Sequence, residues 1–254
     1  MSMFGNLTTN DLEESQDYLG GFSPLETDIY SGIIKMAYAG EAKSGAKSIT
    51  LLVDFSGKEY RDTVYITTKD GNNFFFKKDK DGKPTKTKVA LPSFTVIDDI
   101  CLITTDKPLA EQDVEEKVVK VWDAEAKKEL PKNVPVLVDL IGKNISLGIL
   151  KQLENKSEKD SNDKYVPIAD TRESNTIDKV FHTESQMTVA EARNGVQEAT
   201  FWGSWMERNK GKTRDRRTIK EDGAGVSGRP GRSAGMPPQA SQAKAQTKSL
   251  FGGR

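Results

Sequence analysis

Apolar residues concentrate, between polar turn-forming positions, in three short stretches: Ile29 to Tyr38 (IYSGIIKMAY), Ser48 to Phe55 (SITLLVDF) and Lys58 to Thr67 (KEYRDTVYIT). All three are rich in β-branched and aromatic residues and are separated by turn residues, the composition of consecutive strands. Phe55-Ser56-Gly57-Lys58 suits a tight hairpin turn. Asp70-Gly71 marks another turn, after which Asn73 to Phe76 is expected to return as a further strand before a lysine loop, Lys77 to Lys88, that forms a long exposed ribbon or loop tip. Beyond Pro92 the period changes. Phe94, Ile97 and Cys101, or Val96, Ile100 and Ile103, recur at spacings of three and four, predicting a short helix capped by Ser93 or Thr95 and ended before Lys107-Pro108. Lys117 to Trp122, Val134 to Ile141 and Ile145 to Leu150 then return to strand patterning, with Gly142-Lys143-Asn144 as a turn.

Downstream, residues 152–175 are polar and are expected to be a long surface connection. Thr188 and Glu191 form a T-x-x-E capping box ahead of a helix over 188–209 that aligns Val189, Ala192, Val196, Ala199 and Met206, with Phe201 and Trp205 adjacent. Three strands, a short helix, then further strands predict a mainly β chain. The architecture with that order is the five-stranded Greek-key barrel of the oligonucleotide/oligosaccharide-binding (OB) fold, with its helix between strands 3 and 4.

Composition refines the domain layout. Of 254 residues, 35% are hydrophobic and 30% charged, so the core must come from a minority of segments. The expected division is an acidic N-terminal arm (1–25), one domain (26–206) and a Gly/Ala/Ser/Pro-rich tail (207–254) that buries little and is expected to be disordered. The net charge of zero hides an asymmetry: the tail has 12 Lys/Arg against 4 Asp/Glu, and residues 1–206 have 26 against 34. A net +8 tail on a net −8 body implies either a tail that seeks a polyanion or one that folds back on its own body.

Catalytic signatures are missing. The sequence contains no GxxxxGK[ST], no GxGxxG after a strand, no HExxH and no GxSxG. Cys101 and His182 are the sole residues of their kinds, so neither an internal disulfide nor a Cys/His zinc site can be assembled, and Cys101 is expected in the core. Asp98-Asp99 and Glu115-Glu116 are expected on solvated surface, and His182 is given no role. An enzyme is not expected, a nuclease being the least implausible, and no cofactor or metal is called for. The start, MSMFGNLTTNDLEESQ, has neither basic n-region nor apolar h-region, and no apolar run suffices to span a membrane, so a cytoplasmic location is expected.

Aromatic and basic residues supply the informative constellation. Tyr60, Tyr65, Phe74 and Phe76 lie on predicted strands beside Lys58, Arg61, Lys77 and Lys78; Lys80, Lys83, Lys86 and Lys88 follow in the loop, and Lys43 and Lys47 lie in the loop segment GEAKSGAKS. A single strand of nucleic acid needs this mixture, rings on which bases stack and cations along the phosphates. In a strand Phe74 and Phe76 share one face and Phe75 takes the other, so Phe75 is expected to point into the core. In the OB fold such ligands lie across strands 2 and 3 and the adjoining loops, where these residues fall.

The chain also resembles bacteriophage single-stranded DNA-binding proteins. The resemblance is carried by DVEEKVV at 113–119, PVLVDLIGKNISLGILKQ at 135–152, IDKVFH at 177–182 and the small-residue tail ending KSLFGG, and covers most of residues 3–210 as a general pattern. It implies an OB-fold core, coating of exposed single strands during phage DNA replication and recombination in the host cytoplasm, no catalysis, and a C-terminal tail that contacts replication proteins. One departure stands out: Leu250 and Phe251 provide an apolar tip, but the acidic run that commonly precedes it is absent. The alternatives are an RNA-binding or strand-annealing protein, and a structural or assembly protein that docks another protein on the Phe74–Phe76 edge. The oligomeric state, monomer or homodimer, is left open.

Overall fold

Consecutive pairing of the first three expected strands builds the central sheet. In the computed structural model, which describes residues 24–123, 126–161, 164–219 and 250–251, β1 (Asp28–Glu41) runs antiparallel to β2 (Lys47–Phe55), and β2 to β3 (Lys58–Tyr65). Ser56 and Gly57 join β2 to β3 with φ values of 53° and 92°. Two positive φ angles in sequence make the twist of a two-residue hairpin, and a glycine at the second eases the steric cost. Ile34, Ala37, Ile49, Leu51, Val53 and Tyr60 turn inward as the main core cluster.

β1 is shared. Its first half pairs with β8 (Asn144–Lys159), which pairs along its other edge with β9 (Tyr165–Phe181). Polar residues 152–175, expected as a surface connection, instead form the outer arms of this long hairpin, because both faces of a solvated ribbon are polar and leave no alternation to detect. Strands hold 51% of the described residues, so the chain is mainly β, and its sheets do not close into a continuous hydrogen-bonded ring. At the gap, the Asp62 carboxylate on β3 accepts the backbone amide of Ile177 on β9.

Between the strands runs α1 (Pro92–Thr105), with proline in its first turn and Asp106 left-handed at its end (φ 58°), the Asp106 N–H returning to Leu102 O. Ile97, Ile100, Cys101 and Ile103 face the core, and the helix packs against β3, β8 and β9. Two hairpins flank α1 in the chain. β4 (Phe74–Lys78) and β5 (Pro84–Ala90) form a separate two-stranded sheet, and β6 (Val114–Asp123) pairs with β7 (Lys128–Leu137), which touches β1 through Tyr38 and Val136.

The C-terminal helix is divided in two. α2 (Val189–Arg193) carries the expected capping box, but the helical path stops at Asn194 and Gly195 (φ 65°) and resumes as α3 (Phe201–Asn209). Glu191 joins the pieces. One of its carboxylate oxygens accepts the Thr188 amide (3.0 Å) and the other those of Thr200 and Phe201 (2.8 Å each). Burial of Glu191 opposes its ionisation, yet these hydrogen bonds outweigh it and hold the carboxyl below its usual range. Trp205 is buried and donates its indole N–H to Asp178 at 2.7 Å.

Residues 207–219 are not a free tail. Thr213–Asp215 forms β10, parallel to β8 on the edge that β1 vacates, and Arg216 N–H bonds Leu153 O. Thr27 holds this junction, its hydroxyl donating to Lys212 O at 2.6 Å and accepting from Lys151 N. Residues 1–23 of the expected arm, and 220–249 with 252–254 of the expected tail, lie outside the described residues.

Candidate nucleic-acid interface

The β4–β5 ribbon separates its aromatic residues by strand alternation. Phe74 pairs with Ala90, Phe75 with Val89 and Phe76 with Lys88. Phe74 and Phe76 therefore share a face, their rings 5.6 Å apart edge to face, and the Lys88 ammonium lies 4.2 Å from the Phe74 ring centre. Cation and ring attract there through the ring quadrupole. Phe75 takes the opposite face, as alternation requires, but it is not core: it is 45% exposed, against 46% for Phe76. The ribbon forms a two-stranded sheet of its own, apart from the eight-stranded one, and on its second face Phe75 stays about half exposed.

Asp79 orders the ribbon tip, one of its carboxylate oxygens accepting the amides of Asp81 and Lys83 at 2.9 Å each. Lys77, Lys78, Lys80, Lys83, Lys86 and Lys88 are all exposed, and among the described residues no ion pair engages them. At the base of the ribbon, Lys47 N–H bonds the Thr67 hydroxyl (2.8 Å) and Ile66 N–H bonds Lys47 O (2.9 Å). This ties the β1–β2 loop to the end of β3. Lys43, Lys47 and the 52%-exposed Tyr65 are thereby gathered at one end, together with Lys69, which sequence reasoning passed over.

Three expected residues fall elsewhere. Tyr60 is in the core at 3% exposure, its hydroxyl donating to Asp62 (3.1 Å), and burial raises its phenol far above the usual range. It cannot offer a face to a base. Arg61 is taken by Glu129 at 2.6 Å. Lys58 opens β3, roughly 23 Å along the strand from Tyr65 at its other end.

The outward face of β1 and β2 is not open either. Val119, Val121, Val134 and Val136 of the β6–β7 hairpin pack with Met36 and Tyr38, and Ser48 and Thr50 on the same side of β2 are buried. Because β7 joins β1 at Val136 and reaches Arg61 of β3 with Glu129, the hairpin crosses this face. The exposed aromatic and cationic surface is accordingly displaced toward the ribbon and its base.

Cys101 is wholly buried, and burial pushes its thiol up to about 12, leaving no thiolate at neutral pH. Asp98 and Asp99 differ: Asp98 accepts the Leu109 amide (2.8 Å), whereas Asp99 is pushed up to about 7 by burial and by Asp98, against the opposing pull of Arg193 and Lys179. Asp99 is thus not the solvated carboxylate expected. His182 stacks on Phe251 (4.7 Å, 18° between planes) while Leu250 N–H bonds Asp106 (3.0 Å), so the apolar tip lies against the ends of α1 and β9. Among the described residues no group of His, Cys, Asp or Glu is placed to hold a metal ion, and no helix is long and apolar enough to cross a membrane. Comparison with known protein families, curated proteins and solved structures finds no match.

Proposed function

We propose that the protein binds single-stranded DNA with little sequence preference and coats it during phage DNA replication and recombination in the host cytoplasm, as the resemblance to phage single-stranded DNA-binding proteins implies. One observation carries this: Phe74 and Phe76 share a ribbon face with Lys88, beside exposed lysines without ion-pair partners among the described residues. Rings of this kind accept bases of any identity at about 1–3 kcal/mol each, and the lysines follow the phosphates. Tyr65, Lys43, Lys47 and Lys69 extend the same surface at the ribbon base.

An OB-type barrel is the architecture we assign to the strands β3-β2-β1-β8-β9. In support, α1 falls between the third and fourth of these strands in the chain, and Asp62 bridges the open seam to β9. Contacts of the C-terminal tail with replication proteins belong to the same proposal. Polarisation of a labelled oligo-dT at low salt tests it, with oligo-U as the RNA arm. Tight binding whose log–log salt slope becomes shallower by about 2 when Lys80, Lys83 and Lys86 are changed together to Ala is expected. No response to micromolar oligonucleotide overturns it.

A further inference from the structure

β6 has a free edge. Val114–Asp123 pairs with β7 along its whole length, and no strand among the described residues takes the other side. Proteins often guard such edges with proline, and Pro131 and Pro135 interrupt β7 in this way, yet β6 contains no proline, and the charges on its packed side, Glu115 and Lys117, pair with each other. Its outer face, opposite the side that packs on Met36 and Tyr38, carries Val114, Glu116, Val118, Lys120 and Trp122 in order. Val114, Val118 and Trp122 are 55%, 72% and 60% exposed.

This series complements its own reverse. Laid antiparallel on a second copy, Val118 meets Val118, Glu116 meets Lys120 twice, and Val114 meets Trp122 twice. On the other face the same register sets Lys117 against Val119 and Glu115 against Val121, and like charges meet only at Asp113 and Asp123 beyond the centre. A shift of two residues breaks both Glu116–Lys120 pairs, and a shift of one turns the apolar set to the wrong face. Glu116 and Lys120 form no ion pair among the described residues, so both are available.

We propose that two copies of the chain join through antiparallel β6–β6 pairing about a two-fold axis at Val118, extending the sheet of each protomer into the other. A single strand pair is a small interface, so the dimer should dissociate on micromolar dilution. No nucleic acid is required.

Sedimentation velocity of the full chain over a concentration series tests this, with far-UV circular dichroism confirming that each variant is folded. Wild type is expected to pass from monomer to dimer, with Trp122 emission shifting to the blue in step. Val118→Asp should remain monomeric. Glu116→Lys and Lys120→Glu each create two like-charge pairs and should weaken the dimer about tenfold or more, and the double variant Glu116→Lys/Lys120→Glu should restore it. A wild-type chain that stays monomeric at the highest concentration overturns the proposal. So does a dimer indifferent to Val118→Asp, or a double variant no better than its parents.

Discussion

Two hairpins, β4–β5 and β6–β7, flank α1 in the chain and end in opposite environments. On β6–β7 one face carries Val119, Val121, Val134 and Val136, with Glu115 and Lys117 beside them paired to each other at 3.1 Å. That face can be buried without stranding a charge, and it lies over Met36 and Tyr38. On β4–β5 each face mixes rings with lysines: Phe74, Phe76 and Lys88 on one, Phe75 and Lys77 on the other. Neither face can dock on a core without desolvating an ammonium. The ribbon therefore stays in solvent with its aromatics displayed, whereas the hairpin is absorbed into the fold.

The sharpest way to break this contrast is to put a charge where the hairpin docks. Val136→Asp, at a fully buried site, should cost about 3 kcal/mol or more in urea unfolding, while Phe75→Asp on the ribbon should stay within about 0.5 kcal/mol. Equal effects would mean that the two hairpins are not distinguished by docking.

Next in size is the function assigned to the free ribbon. Phe74→Ala and Phe76→Ala should each weaken oligo-dT binding by about 1–3 kcal/mol, measured by polarisation, with Phe75→Ala affecting it less. If all three act alike, strand alternation does not select the platform.

α1 connects the hairpins, and its Asp99 supplies a pH test. With its carboxyl pushed up to about 7 from an ordinary value of 3.8, the folded state holds a proton that the unfolded chain releases. Its favourable contribution is full below the ordinary value and is lost as pH rises toward 7. Asp99→Asn should therefore raise stability at pH 8 by on the order of 1 kcal/mol and have little effect at pH 4, as thermal unfolding at the two pH values would reveal. The smallest effect belongs to the Arg61–Glu129 pin, whose side chains are 39% and 38% exposed. Breaking it with Glu129→Ala should cost less than about 1 kcal/mol. It should also speed amide hydrogen exchange at the hairpin end before the rest of the sheet.

Local patterns were legible where one face of an element is apolar. β1, β2, β3 and α1 appear where β-branched and aromatic composition and three-four spacing place them, and the T-x-x-E box caps α2 as written. Tyr60 and Tyr65 lie five residues apart and so on opposite faces of β3, a parity that already separated the core ring from the exposed one. Asn194-Gly195 likewise offered a break in the C-terminal helix. By contrast, the outer β8–β9 arms left no trace because polar residues cover both faces, and Trp122 lay within a strand whose exposed side was not predicted.

Sequence alone determined which residues share a face, because strand and helix periods are local properties of the backbone. It thereby set Phe74 beside Phe76 and against Phe75, and it placed the densest positive charge next to them. Only the tertiary structure decided which faces stay open. Arg61 is 68 residues from Glu129, Asp62 is far in sequence from Ile177, and Val136 reaches Tyr38 only after α1 has turned the chain. Burial depends on what arrives from elsewhere in the chain, and no local period records that arrival.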